Sequence, residues 1–174
     1  MTLKYGKESR AESQGRRVKT MTENEIGTAI IECAIEVHRE LGPGLLETVY
    51  EVALSYLLTE KGFPNERQVP IPIQFRGIKF DEGFRADLVV CDRVIVELKS
   101  KTTINPADRK QIQTHLKLTG LKLGYLLNFG EALLKDGIVR AVNGLEENLC
   151  APASLREKYK FQPVASLDED KPRE

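Results

Sequence analysis

The stretch Phe84-Arg85-Ala86-Asp87-Leu88-Val89-Val90, followed across Cys91-Asp92-Arg93 by Val94-Ile95-Val96-Glu97-Leu98-Lys99, decides the fold. Both runs are short, rich in β-branched residues and separated by polar residues, so they predict two strands joined as a hairpin. Alternate residues of a strand share a face, which points Glu97 and Lys99 one way and Val96 and Leu98 the other. Pairing within the hairpin brings Asp87 beside Glu97. Two carboxylates and an ammonium then converge at the end of an apolar hairpin, which is costly unless a cation or a proton compensates.

A small set of oxygen ligands that leaves room for water suits Mg²⁺ (or Mn²⁺) better than a dedicated Ca²⁺ cage. Such an ion polarises a phosphoryl oxygen and acidifies water, and a neighbouring Lys99 can orient that water or meet charge in the transition state. Glu and Lys two apart on a strand also occur as a surface ion pair of little energetic worth. The apolar run before Glu97 and the placement of Asp87 weigh against that plainer reading.

Outward from the hairpin, the chain alternates helix and strand periods. Thr22 with Glu25 three residues on is a capping-box pattern, and Ile26, Ala29, Ile30, Cys33, Ala34, Val37 and Leu41 follow at helical spacing. Gly42-Pro43-Gly44 stops that helix. A second helix is expected from about Leu46 to Lys61, apolar on more than one side and therefore largely buried. From Gln68 the period becomes two, with Pro70 and Pro72 demoting the segment to an edge strand or an irregular extended run. Asn105-Pro106 opens a third helix that ends at Gly120, and strands are expected at Leu123–Phe129 and Ile138–Val142. This order predicts an α/β fold with a mixed sheet flanked by helices.

The 174 residues suit one domain, expected at residues 21–155, between a flexible basic leader (1–20) and a charged C-terminal tail (156–174). Lys and Arg number 26 against 26 Asp and Glu, so global charge offers a polyanion nothing, and nucleic-acid binding needs a local patch or a metal. Trp is absent and aromatics are scarce, which argues against a stacking platform for single strands. Cys33, Cys91 and Cys150 lack ligand spacing and, without a signal peptide, read as reduced thiols of a cytoplasmic protein. No apolar run is long enough to span a bilayer, so no membrane role is expected. His38 is assigned to structure.

Asp87, a nine-residue gap and Glu97-Leu98-Lys99 resemble the signature of the PD-(D/E)XK nuclease superfamily. Gly44-Leu45-Leu46-Glu47-Thr48-Val49-Tyr50 is similar to the motif that names the GxxExxY proteins within it. The likeness continues through Gln68-Val69-Pro70, Arg85-Ala86-Asp87, Gln111 and Gly124-Tyr125-Leu126-Leu127-Asn128-Phe129, covering roughly residues 23–143 in order. The resemblance implies an αβββαβ core that binds one or two divalent metals and hydrolyses phosphodiesters. Asp87 and Glu97 would be metal ligands, Glu47 an additional metal carboxylate, Lys99 the water-orienting residue, and Gln111 a residue that positions substrate or the lysine. Nucleases related through that glutamine commonly cut DNA, often from an end. Ala86 stands where a proline is common, which bears on the turn and not on the chemistry. His115 stands where a tyrosine is common; with Gln111 it forms an i, i+4 pair suited to contacting substrate, against the plainer reading of a structural helical histidine. Tyr50 is expected to pack or hydrogen-bond and so steady its neighbours.

These residues predict a Mg²⁺-dependent deoxyribonuclease, a hydrolase of phosphodiester bonds, with RNA or nucleotides as alternative substrates. The competing reading is a catalytically silent nuclease-fold module that binds nucleic acid or a protein partner. Without a helix-turn-helix, zinc finger or P-loop, targeting would fall to a protein partner.

Overall fold

A computed structural model describes residues 21–144 and 162–163 of the chain. The expected leader lies outside the described residues, as does the expected C-terminal tail apart from Gln162 and Pro163. Helices α1 (Glu23–Leu41) and α2 (Glu47–Glu60) precede strands β1 (Asn65–Phe75), β2 (Ile78–Val90) and β3 (Val94–Lys99). Helix α3 (Pro106–Thr119), β4 (Leu123–Asn128), a 3₁₀ turn at Leu134–Gly137, β5 (Ile138–Val142) and the two-residue β6 (Gln162–Pro163) follow. The strands form one mixed sheet in the order β1-β2-β3-β4-β5-β6. Pairs β1–β2, β2–β3 and β4–β5 are antiparallel, whereas β3–β4 and β5–β6 are parallel.

The local signals do what their chemistry dictates. Thr22 accepts from the Glu25 amide while Glu25 reaches back to the Thr22 amide, closing the capping box of α1. Asn105 and Asp108 do the same for α3, which ends on a left-handed Gly120. β1 is the edge strand, as Pro70 and Pro72 require. The parallel β3–β4 pair needs a crossover, and α3 supplies it. Helices α1 and α2 close a larger core over Leu88, Val94, Val96, Leu98, Tyr125 and Leu127. Helix α3 closes a smaller one over Ala86, Ile95, Leu126 and Val139 on the other face. Among the described residues no helix is long and apolar enough to cross a membrane.

One expectation is overturned. Helix α2 is not largely buried: Tyr50, Glu51, Leu54 and Leu58 face inward, while Leu46 (75% exposed), Val49, Val52 and Tyr56 (67%) are exposed. Only one stripe of the helix meets the sheet, so being apolar all round did not translate into burial all round.

The loop ahead of α2 is held by Tyr50, which stacks on Phe129 at 4.3 Å. Its hydroxyl donates to the Gly42 carbonyl at 2.6 Å and accepts from the Leu45 amide at 3.0 Å. Gly42 and Gly44 both take positive φ there (70° and 95°), a conformation that glycine adopts without strain. Tyr50→Phe keeps the stack but orphans two backbone groups, and is expected to cost about 1–2 kcal/mol. Urea unfolding should show a lower midpoint at unchanged slope; an unchanged midpoint would refute the clasp.

Candidate active site

The β2–β3 ladder stops at Leu88↔Val96, although β2 runs back to Ile78 and β3 on to Lys99. In place of the next backbone rung, the Asp87 carboxylate accepts the Leu98 amide proton at 2.8 Å. The strands fork at that point. On β2, Leu88 faces the larger core and Ala86 the smaller one, so side-chain alternation slips at Asp87. Opposite it on β1, Gln68 takes φ 54°, a left-handed conformation rare for a non-glycine residue. Such local strain persists where neighbouring structure over-determines it, and here it marks the mouth of the fork.

Acidic side chains and their hydrogen-bond donors gather around the fork. Glu97, with no exposed surface, accepts from Gln111 Nε2 on Oε2 (3.1 Å) and from His115 Nδ1 on Oε1 (2.6 Å). From the α2 side, Glu51 is 3% exposed and accepts from Arg67 (2.7 Å) and from the Gln68 amide (2.6 Å), whose nitrogen also lies 3.5 Å from Asp87 Oδ1. Burial pushes the Asp87 carboxyl up to about 6, helped by the charge on Glu97 and opposed by the Leu98 amide and Lys99. The Lys99 ammonium, on the strand face of Glu97, makes no hydrogen bond or ion pair among the described residues.

The sequence-predicted residues divide accordingly. Asp87, Glu97 and Lys99 come together as the hairpin argument requires, and Gln111 joins them by gripping Glu97. Glu47 is exposed and does not join: its carboxylate accepts the Ser100 amide at 3.1 Å, while the Ser100 hydroxyl donates to the Leu45 carbonyl at 2.6 Å. Among the described residues no group of three or more His, Cys, Asp or Glu is placed to hold a metal. His115 is not a substrate contact, because its side chain has no exposed surface and is enclosed by Glu97 and by Phe84, whose ring lies 5.2 Å away. His38 is structural, donating to the Glu131 carbonyl at 2.9 Å, and Cys33 and Cys91 are free thiols, with Cys150 outside the described residues. Sequence reasoning missed Glu51 and, though Gln68 stood within the family likeness, gave it no role at the site. The signal for Glu51 was an acid on the Tyr50, Leu54, Leu58 stripe of α2; no local signal marked the backbone of Gln68.

A divalent ion fits this arrangement. Asp87, whose charge burial leaves undercompensated, and Glu97 offer two oxygen donors, and Mg²⁺ characteristically takes one or two carboxylates and keeps several waters.

A family model of the PD-(D/E)XK nuclease superfamily matches residues 24–141, spanning α1 to β5. No curated protein and no solved structure gives a significant match. The matched region takes in α2, α3, the forked hairpin and strands β1 to β4, and the chain belongs to the PD-(D/E)XK nuclease superfamily.

Proposed function

We propose that this chain is a metal-dependent deoxyribonuclease of the GxxExxY type, with Asp87 and Glu97 holding Mg²⁺ or Mn²⁺. The observation that carries the reading is the convergence of Asp87, Glu97 and an unpaired Lys99 at the fork. Superfamily membership supports phosphodiester hydrolysis, and the likeness around Gln111 favours DNA over RNA and action from an end. When bound, the ion supplies positive charge against the phosphoryl oxygens and makes water at the site a stronger acid. Lys99 orients the attacking water and meets negative charge as it grows on the phosphoryl group. Gln111 keeps Glu97 aimed at the fork, and Glu47 anchors α2 to Ser100, the residue after Lys99.

Two observations favour the silent-module reading: both Glu97 oxygens already accept hydrogen bonds, and Glu47 stands outside the ligand pair. A cleavage assay separates the two. Linear and circular, single- and double-stranded DNA, with RNA beside them, are incubated with Mg²⁺, Mn²⁺ or EDTA. Cutting should require the ion and fall about 10²-fold or more in Glu97→Ala and Lys99→Ala. Binding without cutting, indifferent to metal and to Glu97→Ala, would establish the silent module instead.

The raised Asp87 carboxyl makes a second prediction. An aspartate in an unfolded chain titrates near 3.8, and the folded one near 6, so between those values the folded state holds the extra proton. Stability of the metal-free protein therefore falls as pH rises from about 4 to about 6, and the cost is fully present above. After solvent screening of a partly buried group it amounts to about 1–2 kcal/mol. Metal-free Asp87→Asn should melt above wild type at pH 7.5 and with it at pH 4. Mg²⁺ should raise the wild-type midpoint more at pH 7.5 than at pH 5, where Asp87 is mostly protonated. Equal metal effects at both values would contradict the assignment.

A further inference from the structure

His115 and Glu97 form a pair with no exposed surface on either side chain, in contact at 2.6 Å. A carboxylate oxygen accepts from a ring N–H, so this contact suits a proton carried on Nδ1. The other nitrogen, Nε2, is buried and has no hydrogen-bond partner among the described residues. That asymmetry matches a ring whose whole polar function is spent on Glu97. Phe84 of β2 lies against the ring at 5.2 Å, shielding the contact from water. One turn earlier on the same helix, Gln111 holds the other oxygen of Glu97 at 3.1 Å. Helix α3 thus grips one carboxylate by both oxygens with residues four apart, leaving it no freedom to turn.

We infer that His115 is a positioning residue: its Nδ1–H fixes the Glu97 carboxylate in the orientation that, together with Asp87, receives the divalent ion. The inference rests on the proposed metal-dependent activity for its consequence, but the hydrogen bond itself does not. Loss of the grip leaves a buried oxygen without a donor and a carboxylate free to rotate, and comparable supports of metal ligands are worth about 10–100-fold in metal affinity.

The test exploits where side chains place their nitrogen. The amide nitrogen of asparagine is three bonds from Cα, as is histidine Nδ1, whereas that of glutamine is one bond farther out. Mn²⁺ titrations at pH 7.5 compare wild type with His115→Asn, His115→Gln and His115→Leu, each verified as folded by circular dichroism. His115→Asn should bind Mn²⁺ within about threefold of wild type, and His115→Gln and His115→Leu should bind about 10–100-fold more weakly. A folded His115→Gln or His115→Leu that binds Mn²⁺ as wild type does would overturn the inference. The ¹⁵N resonances of His115 in the metal-free wild type supply an independent reading. A proton on Nδ1 upholds the grip, and a lone proton on Nε2 overturns it. If wild type binds no Mn²⁺, the nuclease reading fails, and the nitrogen that carries the proton still decides whether His115 holds Glu97.

Discussion

Everything distinctive about this molecule follows from one missing rung. Where β2 and β3 should exchange their next backbone hydrogen bonds, the Asp87 side chain accepts the Leu98 amide instead. A backbone donor in the middle of a sheet cannot be left unsatisfied, so a carboxylate standing in for a carbonyl lets the strands part without orphaning it. The part that opens is lined by charge. Glu97 follows from β3, Glu51 approaches from α2, and the bend in β2 that sends Leu88 and Ala86 to opposite cores makes space for all three acids.

Concentrating acids in a sheet interior works against folding, and Asp87 records it in its raised pKa. Two features offset that cost. Fully buried Leu, Ile and Val side chains on both faces of β3 and β4 contribute roughly 1.5–3 kcal/mol each, enough to hold one destabilised site. The other is a set of donors aimed at the acids from rigid elements. Arg67 and Gln68 serve Glu51, Gln111 and His115 serve Glu97, and the Ser100 amide serves Glu47. In a site built this way the carboxylates are preorganised before any ligand arrives, which is what positioning a reacting phosphodiester demands.

Much of this was legible in the chain. The capping residues Thr22, Glu25, Asn105 and Asp108, the stops at Gly42 and Gly120, and the prolines of β1 each encode a local rule that tertiary context had no reason to override. The period of two in Val94–Lys99 placed Glu97 and Lys99 on one face, and hairpin pairing placed Asp87 beside them. What escaped was set by contacts distant in sequence. Whether Val52 or Tyr56 of α2 is covered depends on which stripe of the helix meets the sheet, and nothing within the helix says. Glu47 and Glu51 lie one turn apart, so periodicity could not tell which of them turns toward the fork. That depends on Ser100 claiming one and on Arg67 and Gln68 claiming the other. His115 read as a surface contact because the ring of Phe84, which covers it, comes from a strand 31 positions earlier in the chain.

The most direct test of the fork as a cation site is a crystal of the wild-type protein soaked in Mn²⁺ near pH 7.5, with anomalous difference density measured around β2 and β3. A cation held at the fork gives a peak between the carboxylates of Asp87 and Glu97, within reach of Lys99. A peak elsewhere, at Glu47 and Ser100 for instance, or none at saturating Mn²⁺ with both acids ordered, would contradict it.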